Sequence, residues 1–405
     1  MEFNNIKSKF PIFKQKIKGK PLVYLDSANS SQKPKVVIDE MSRFYETEFS
    51  NVGRSVHTLA VKATNKFEET RDIVKSYINA EYREEIIFTK GATEAINLVA
   101  NTYGEKFVKA GDEILVTELE HHSNYVPWHY LRKKKGAVIK FAEINESGEI
   151  NIDEFKKQIT EKTKIIAFTH ISNVTGTIMP VKKIIDLAKS KNIPVLIDGT
   201  QGAPHSVLDV QDLGCDFYAI SCHKMYGPNG LGILYAKKKW VNELPPYQGG
   251  GGMISEVKKN EVTYADSPTK FEAGTMQTAE VVAFAKSIKF IQDLGIKNIE
   301  KYERQILEHG LEKLRKNNSV KIIGNPKDRA SIISFTIKGI HPHDIATILD
   351  DDGVAIRAGH HCCQILHDKL GIPASARASI GVYNNKEDID VLCDSINKCK
   401  KVFQI

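Results

Sequence analysis

Two segments carry side chains suited to covalent chemistry on an amine. Lys224 lies in Ser221-Cys-His-Lys-Met-Tyr-Gly-Pro, straight after the apolar run Asp216-Phe-Tyr-Ala-Ile220. Asp198 opens Asp198-Gly-Thr-Gln201, straight after Pro194-Val-Leu-Ile197. Both runs read as strands, which puts a lysine at one strand end and an acid at another. A lysine forms a Schiff base with an aldehyde, and an acid keeps a pyridine nitrogen protonated so that the ring draws in electrons. Pyridoxal phosphate (PLP) chemistry needs both. Ser221 and His223 flank the lysine, where they can bind phosphate.

Other strand ends add to this set. Gly91-Ala-Thr93 follows a strand and opens a helix, so its free amides and the Thr93 hydroxyl make a phosphate cup or a plain N-cap. The distance in sequence to Asp198 and Lys224 favours the cup. No Gly-Lys-Ser/Thr follows, so this is not a P-loop. Gly227-Pro-Asn-Gly-Leu-Gly232 precedes a strand rather than a helix and is a poor dinucleotide fingerprint. His121, in Thr117-Glu-Leu-Glu-His-His122, is placed to stack on a pyridine ring. Asn173, in Thr169-His-Ile-Ser-Asn173, can contact a cofactor or a substrate carboxylate.

A further constellation is Arg357-Ala-Gly-His-His-Cys-Cys363. Zinc is disfavoured, because neighbouring side chains in an extended segment face opposite ways and zinc ligands are usually spaced by two or more residues. A reactive thiol fits better, since Arg357 and the histidines are neighbours that favour thiolate. Arg377, in Ala374-Ser-Ala-Arg-Ala-Ser379, has the guanidinium that grips a carboxylate with paired hydrogen bonds.

The elements that must position these groups show in the patterning. Strand candidates run at 85–89, 112–117, 138–141, 164–169, 194–197, 216–220 and 232–235, with helical periodicity over 94–107 and 181–191. Such alternation predicts a mostly parallel sheet of seven strands with helices on both faces, and ligands then bind beyond the strands' carboxyl ends. Long helices are expected over 279–294 and 299–315. A smaller α+β part follows, with strands at 320–323, 331–336 and 354–357 and helices at 344–349 and 386–400. The expected division is a large domain over 17–290 and a small one from 1–16 and 291–405. His341-Pro-His343 reads equally as a helix start or as part of a docking surface.

With 41% hydrophobic and 26% charged residues, the 405-residue chain has an ordinary globular composition. A net charge of +7 with scattered lysines gives no reason to expect nucleic-acid binding. Neither a secretory signal nor a run of roughly 18 or more apolar residues is visible, so no membrane span is expected. The six cysteines, at 215, 222, 362, 363, 393 and 399, read as free thiols of a reducing, cytoplasmic compartment.

Taken together, the motifs resemble the group II cysteine desulfurases of the SufS/CsdA type, within the class V aminotransferases. Tyr24-Leu-Asp-Ser-Ala28, Arg54-Ser-Val-His-Thr58, Glu120-His-His-Ser-Asn124 and Phe271-Glu-Ala-Gly-Thr275 join those already named, so the likeness runs end to end. It implies a fold-type I PLP enzyme acting as a homodimer. Lys224 then corresponds to the Schiff-base lysine, Asp198 to the partner of the pyridine nitrogen, His121 to the stacking imidazole and Gln201 to the contact with the ring's phenolic oxygen. Thr93, Ser221 and His223 would hold the phosphate, and Thr275 would reach the phosphate of the neighbouring subunit. Asn173, Arg377 and Arg357 correspond to substrate contacts, and Cys362 to the nucleophile that becomes a persulfide. Cys222 stands where glycine is expected and Cys363 where alanine is common.

The activity implied is removal of sulfur from L-cysteine, leaving L-alanine. The sulfur passes through Cys362 to an acceptor protein of iron–sulfur cluster assembly. Selenocysteine lyase is the nearest rival and a possible side activity. A plain aminotransferase would leave Cys362 without a role, and a non-catalytic scaffold would need neither Lys224 nor Asp198.

Overall fold

The computed structural model describes residues 3–53 and 55–404; Arg54 of the Arg54-to-Thr58 motif and Met1, Glu2 and Ile405 of the expected small domain lie outside the described residues. Seven strands form the large sheet: β1 Ile86–Thr89, β2 Glu113–Thr117, β3 Val138–Ala142, β4 Thr163–Thr169, β5 Val195–Asp198, β6 Phe217–Ser221 and β7 Gly232–Ala236. Their order across the sheet is β1-β7-β6-β5-β4-β2-β3. The β6-β5-β4-β2-β3 strands are parallel, and β7 is antiparallel to both its neighbours. The sheet is therefore the mostly parallel, seven-stranded one expected.

Successive side chains of a strand face opposite ways, so each strand feeds two cores. Ile87, Ile114, Ala167, Leu196 and Ala219 pack with Ala95, Ile96 and Val99 of helix α1 (Ala92–Phe107). Phe88, Leu115, Phe168, Ile197 and Ile220 pack on the other face with Ile184 and Ile185 of α2 (Val181–Lys189) and Phe284 and Ile288 of α3 (Thr278–Leu294). A polar residue midway along such a strand would be buried without a partner. The chemistry-bearing residues therefore collect at the ends.

The smaller sheet comprises β8 Val320–Ile322, β9 Ile332–Ile337, β10 Arg357–Gly359 and β11 Ser375–Ser379, in the order β8-β9-β11-β10, antiparallel throughout. Its core is closed by Ile306 and Leu307 of α4 (Ile296–Arg315), Ile345 and Leu349 of α5 (Pro342–Asp351), and Ile389 and Leu392 of α6 (Lys386–Val402). The single strand expected over 354–357 is divided: Val354–Ala355 pairs in parallel with Val23–Tyr24, while Arg357 begins β10. His341 caps α5, with its Nδ1 accepting from the His343 amide at 3.3 Å, which is the helix-start reading of that motif. No helix among the described residues is long and apolar enough to cross a membrane.

Candidate active site

The carboxyl ends of β4, β5 and β6 open on a cavity of about 230 Å³. Its lining includes Thr93, His121, Asn173, Asp198, Gln201, Ser221, His223 and Lys224 from around the large sheet, and Arg357 and Cys362 from the smaller part of the chain. Ten of the twelve residues expected from the sequence thus meet in one place.

The floor follows from local geometry. Lys224 ends a 3-10 turn, Cys222–Lys224, that directly follows β6. Burial, with Arg377 adding to it, pushes its amine down to about 8, so a useful share is neutral near neutrality. Asp198 ends β5 and is 4% exposed, with Oδ1 accepting from the Thr200 amide at 3.0 Å. The cup is built where Ala92 N–H donates to Ser221 Oγ at 3.0 Å and the Thr93 and Ser123 hydroxyls share a hydrogen bond of 2.7 Å. β7 passes so close that a Cβ on Gly232 would sit 2.4 Å from Gly91 Cα; only glycine fits there. Behind the lysine, the His223 ring shares a 3.2 Å hydrogen bond with Ser30, and burial pushes it down to about 4.

His121 lines the same cavity, its Nδ1 accepting from the Ser123 amide at 3.1 Å. Burial first, then the Lys224 charge, pushes the imidazole down to about 3, so it stays neutral. Its neighbour Glu120 is buried and accepts from the Thr117 hydroxyl at 2.5 Å, the Asn124 amide at 2.6 Å and the Thr169 N–H at 3.1 Å. Burial raises it to about 8 against those bonds, and the Asp198 charge adds to the rise. The folded protein thus keeps a proton that an unfolded chain releases near 4.5. The resulting stability is complete below that pH and is lost as pH rises through about 8. Glu120→Gln should therefore show a smaller fall in melting temperature between pH 6 and pH 9 than the parent, read by calorimetry. An unchanged fall would assign the pH dependence to other groups.

Among the buried polar atoms without partners in the described residues are Gln201 Oε1, whose amide Nε2 donates to Ala28 O at 2.7 Å, and Arg377 Nε. Gln201 lines the cavity. Arg377 lies outside the lining, with its guanidinium buried and donating to Asn173 O at 3.0 Å and Asp26 at 3.2 Å. An acceptor and a donor left unpaired here suit a ligand with polar groups. A reactive lysine, an acid, a flat imidazole and a hydroxyl-lined helix start fit pyridoxal phosphate.

The thiols separate clearly. Cys362 is half-buried and lines the cavity, with Arg357 Nη2 3.8 Å from its Sγ. Cys363 is buried with its S–H donating to Asn173 Oδ1 at 3.0 Å, and burial pushes its thiol far up. Cys222 is wholly buried in the core, also far up. Asn173 Nδ2 donates to His361 O at 2.8 Å, so this side chain also holds the cysteine loop. Arg357 Nη1 donates to Asn29 Oδ1 at 2.6 Å.

Thr275 is the second expected residue outside the lining; it is exposed, just past Gly274. Ser123 and Thr200 also line the cavity, and their position beside His121 and Asp198 was the signal available. Nothing in the sequence marked Asn29. No group of three or more His, Cys, Asp or Glu side chains is arranged to hold a metal among the described residues.

The family model "Aminotransferase class-V" matches residues 23–392. A "Probable cysteine desulfurase" of Halalkalibacterium halodurans is 46% identical over 403 residues, covering 100% of this chain and 99% of that protein. The crystal structure of the cysteine desulfurase CsdA from Escherichia coli superposes with a TM-score of 0.92 at 34% identity, covering 99% of both chains. The apo cysteine desulfurase from Thermococcus onnurineus gives 0.94 at 34%, again over 99% of both. The chain belongs to the class V aminotransferase family.

Proposed function

We propose that this chain is a PLP-dependent cysteine desulfurase that converts L-cysteine to L-alanine and keeps the sulfur as a persulfide on Cys362. The observation that carries the reading is the convergence of Lys224, Asp198 and Cys362 on one cavity from distant parts of the chain. Its relatives' names and the motif resemblance point the same way.

When bound, PLP supplies an aldehyde that captures the substrate amine and a protonated ring that takes up the electron pair left at Cα. Thr93, Ser221 and His223 hold the phosphate, Gln201 the phenolic oxygen, and Asp198 the pyridine nitrogen. Lys224, held near 8, would bond to the cofactor's aldehyde and, with substrate present, would take the Cα proton. Asn173 and the spare Nε–H of Arg377 fix the substrate carboxylate. Arg357 Nη2, 3.8 Å from Cys362 Sγ, steadies the sulfur at the cavity. The Cys362 thiolate attacks the substrate sulfur, and the bond from that sulfur to Cβ breaks. Cβ takes the electron pair and then a proton, and the electron pair and proton taken from Cα are returned to it, giving alanine while Cys362 carries S–SH.

The receiver of the sulfur is read, from the resemblance alone, as an acceptor protein of iron–sulfur cluster assembly. A homodimer is supported by Thr275, which is exposed away from its own cavity and free to reach a neighbour's phosphate. Six free cysteines suit a reducing, cytoplasmic setting. Alanine and sulfide are to be measured from L-cysteine, with and without candidate acceptors; no alanine in either case overturns the reading. Asp198→Ala should lower turnover on the order of 10³-fold, about 4 kcal/mol of barrier. Near-normal turnover in this variant would mean that another group protonates the ring.

A further inference from the structure

The loop carrying Cys362 contains two consecutive non-glycine residues in the left-handed region, His361 at φ 52° and Cys362 at φ 58°. That region is sparsely populated for L residues and persists only where surroundings impose it. The large sheet's side holds two of the loop's carbonyls: His122 N–H donates to Cys362 O at 2.7 Å and Asn173 to His361 O at 2.8 Å. Something must hold the loop from the other side.

A chain of buried polar groups does so, and its proton positions can be deduced. His367 Nδ1 lies 2.9 Å from Cys363 O; a carbonyl only accepts, so Nδ1 carries the hydrogen. Burial keeps this ring neutral, so its Nε2 is bare and accepts from the Ser375 hydroxyl at 3.0 Å. With its one hydrogen committed, Ser375 Oγ must accept from His361 Nε2 at 3.0 Å. The same nitrogen lies 3.1 Å from Ser375 O, again an acceptor only. His361 therefore carries its hydrogen on Nε2, and its Nδ1 is a buried lone pair without a partner among the described residues. Burial, with Arg377 adding to it, pushes this imidazole down to about 2. A neutral ring adds no positive charge beside Cys362, unlike the thiolate-favouring neighbour that the sequence suggested.

We propose that His361 is a positioning residue for sulfur transfer, acting as a neutral Nε2–H donor that ties the loop to Ser375 at the start of β11 and so aims Cys362 into the cavity. This rests on the desulfurase reading. Ser375 is opposite Gly359 in the small sheet and two residues before Arg377 on the same face of β11. One rigid strand thus sets both the thiol loop and the guanidinium offered to the substrate.

Side-chain geometry supplies the test. Glutamine places an N–H near the position of imidazole Nε2, whereas asparagine places one near Nδ1. In PLP-loaded protein, His361→Asn should slow the appearance of sulfur on the Cys362 peptide in a single turnover by at least about 30-fold, as expected for a misplaced reacting group. Binding of L-cysteine, followed by the cofactor's spectrum, should change by less than about threefold, and His361→Gln should restore the transfer rate to within about fivefold. Equal loss in both variants would indicate a proton-transfer role and overturn the proposal, as would a normal rate in His361→Asn.

Hydrogen exchange without substrate gives a second readout. The amides of Cys363 and Gln364, which donate to His360 O and His122 Nε2, should exchange faster in His361→Asn while those of β9 and β11 do not. Faster exchange across the whole small sheet would mean general destabilisation and overturn the positioning role. A parent protein that forms no persulfide would remove the functional reading itself, and the exchange comparison would still decide whether His361 holds the loop.

Discussion

Lys224→Ala should lower turnover of L-cysteine by at least about 10⁴-fold, roughly 5.5 kcal/mol of barrier. Among the described residues Lys224 is the lysine that lines the cavity, and burial has brought its amine down to about 8, where it can both bond covalently and take a proton. The cofactor should still bind through the cup of Thr93, Ser221 and His223, because those contacts do not depend on the lysine. Borohydride reduction of the parent, followed by peptide mapping, should find the cofactor on Lys224. Attachment to another lysine would overturn the central assignment.

Cys362→Ala should lose formation of alanine from L-cysteine by at least about 10³-fold, some 4 kcal/mol, while binding cofactor and substrate as the parent does. The persulfide needs a thiolate that reaches the substrate sulfur, and Cys362 is the thiol in the cavity lining. Cys363→Ala should keep transfer within about tenfold, since what is removed is one neutral S–H, which points to Asn173 Oδ1 at 3.0 Å and Leu119 O at 3.9 Å. Mass spectrometry after one turnover should show one added sulfur on the Cys362 side of that pair. Alanine release persisting in Cys362→Ala, with sulfur on Cys363, would reverse the two roles.

Much of this site could be read from the sequence because its residues stand at strand ends. An apolar run that stops at Asp198 or Ser221 announces both the strand and the place where its polar end emerges. The hidden contacts span the chain. Asp26 meets Arg377 across 351 positions, and Asn29 meets Arg357 across 328. Helix Thr58–Tyr77 also went unmarked, for a specific reason. Its buried face contains Thr70 and Arg71 among Ala60, Ala63, Phe67 and Val74, so apolar periodicity is broken. Arg71 is tolerated there because Glu272 accepts from it at 2.7 and 2.8 Å, 201 residues away. Residues 354–357 read as one strand because Val354 and Ile356 give a strand's alternation. What divides it is a choice of partners, with Val23–Tyr24 taking the first half and β11 the second.

The distribution of thiols makes the molecule its own labelling reagent target. Cys215, Cys222, Cys363 and Cys399 are buried, and the half-buried Cys393 is pushed up to about 11, so it offers little thiolate near neutrality. Cys362 faces the cavity beside an arginine. A fluorescent or spin-bearing maleimide added to the unmodified protein should therefore couple at one position, with no need to strip out the other five cysteines. The dye would sit at the cavity, where it would report directly on whatever enters.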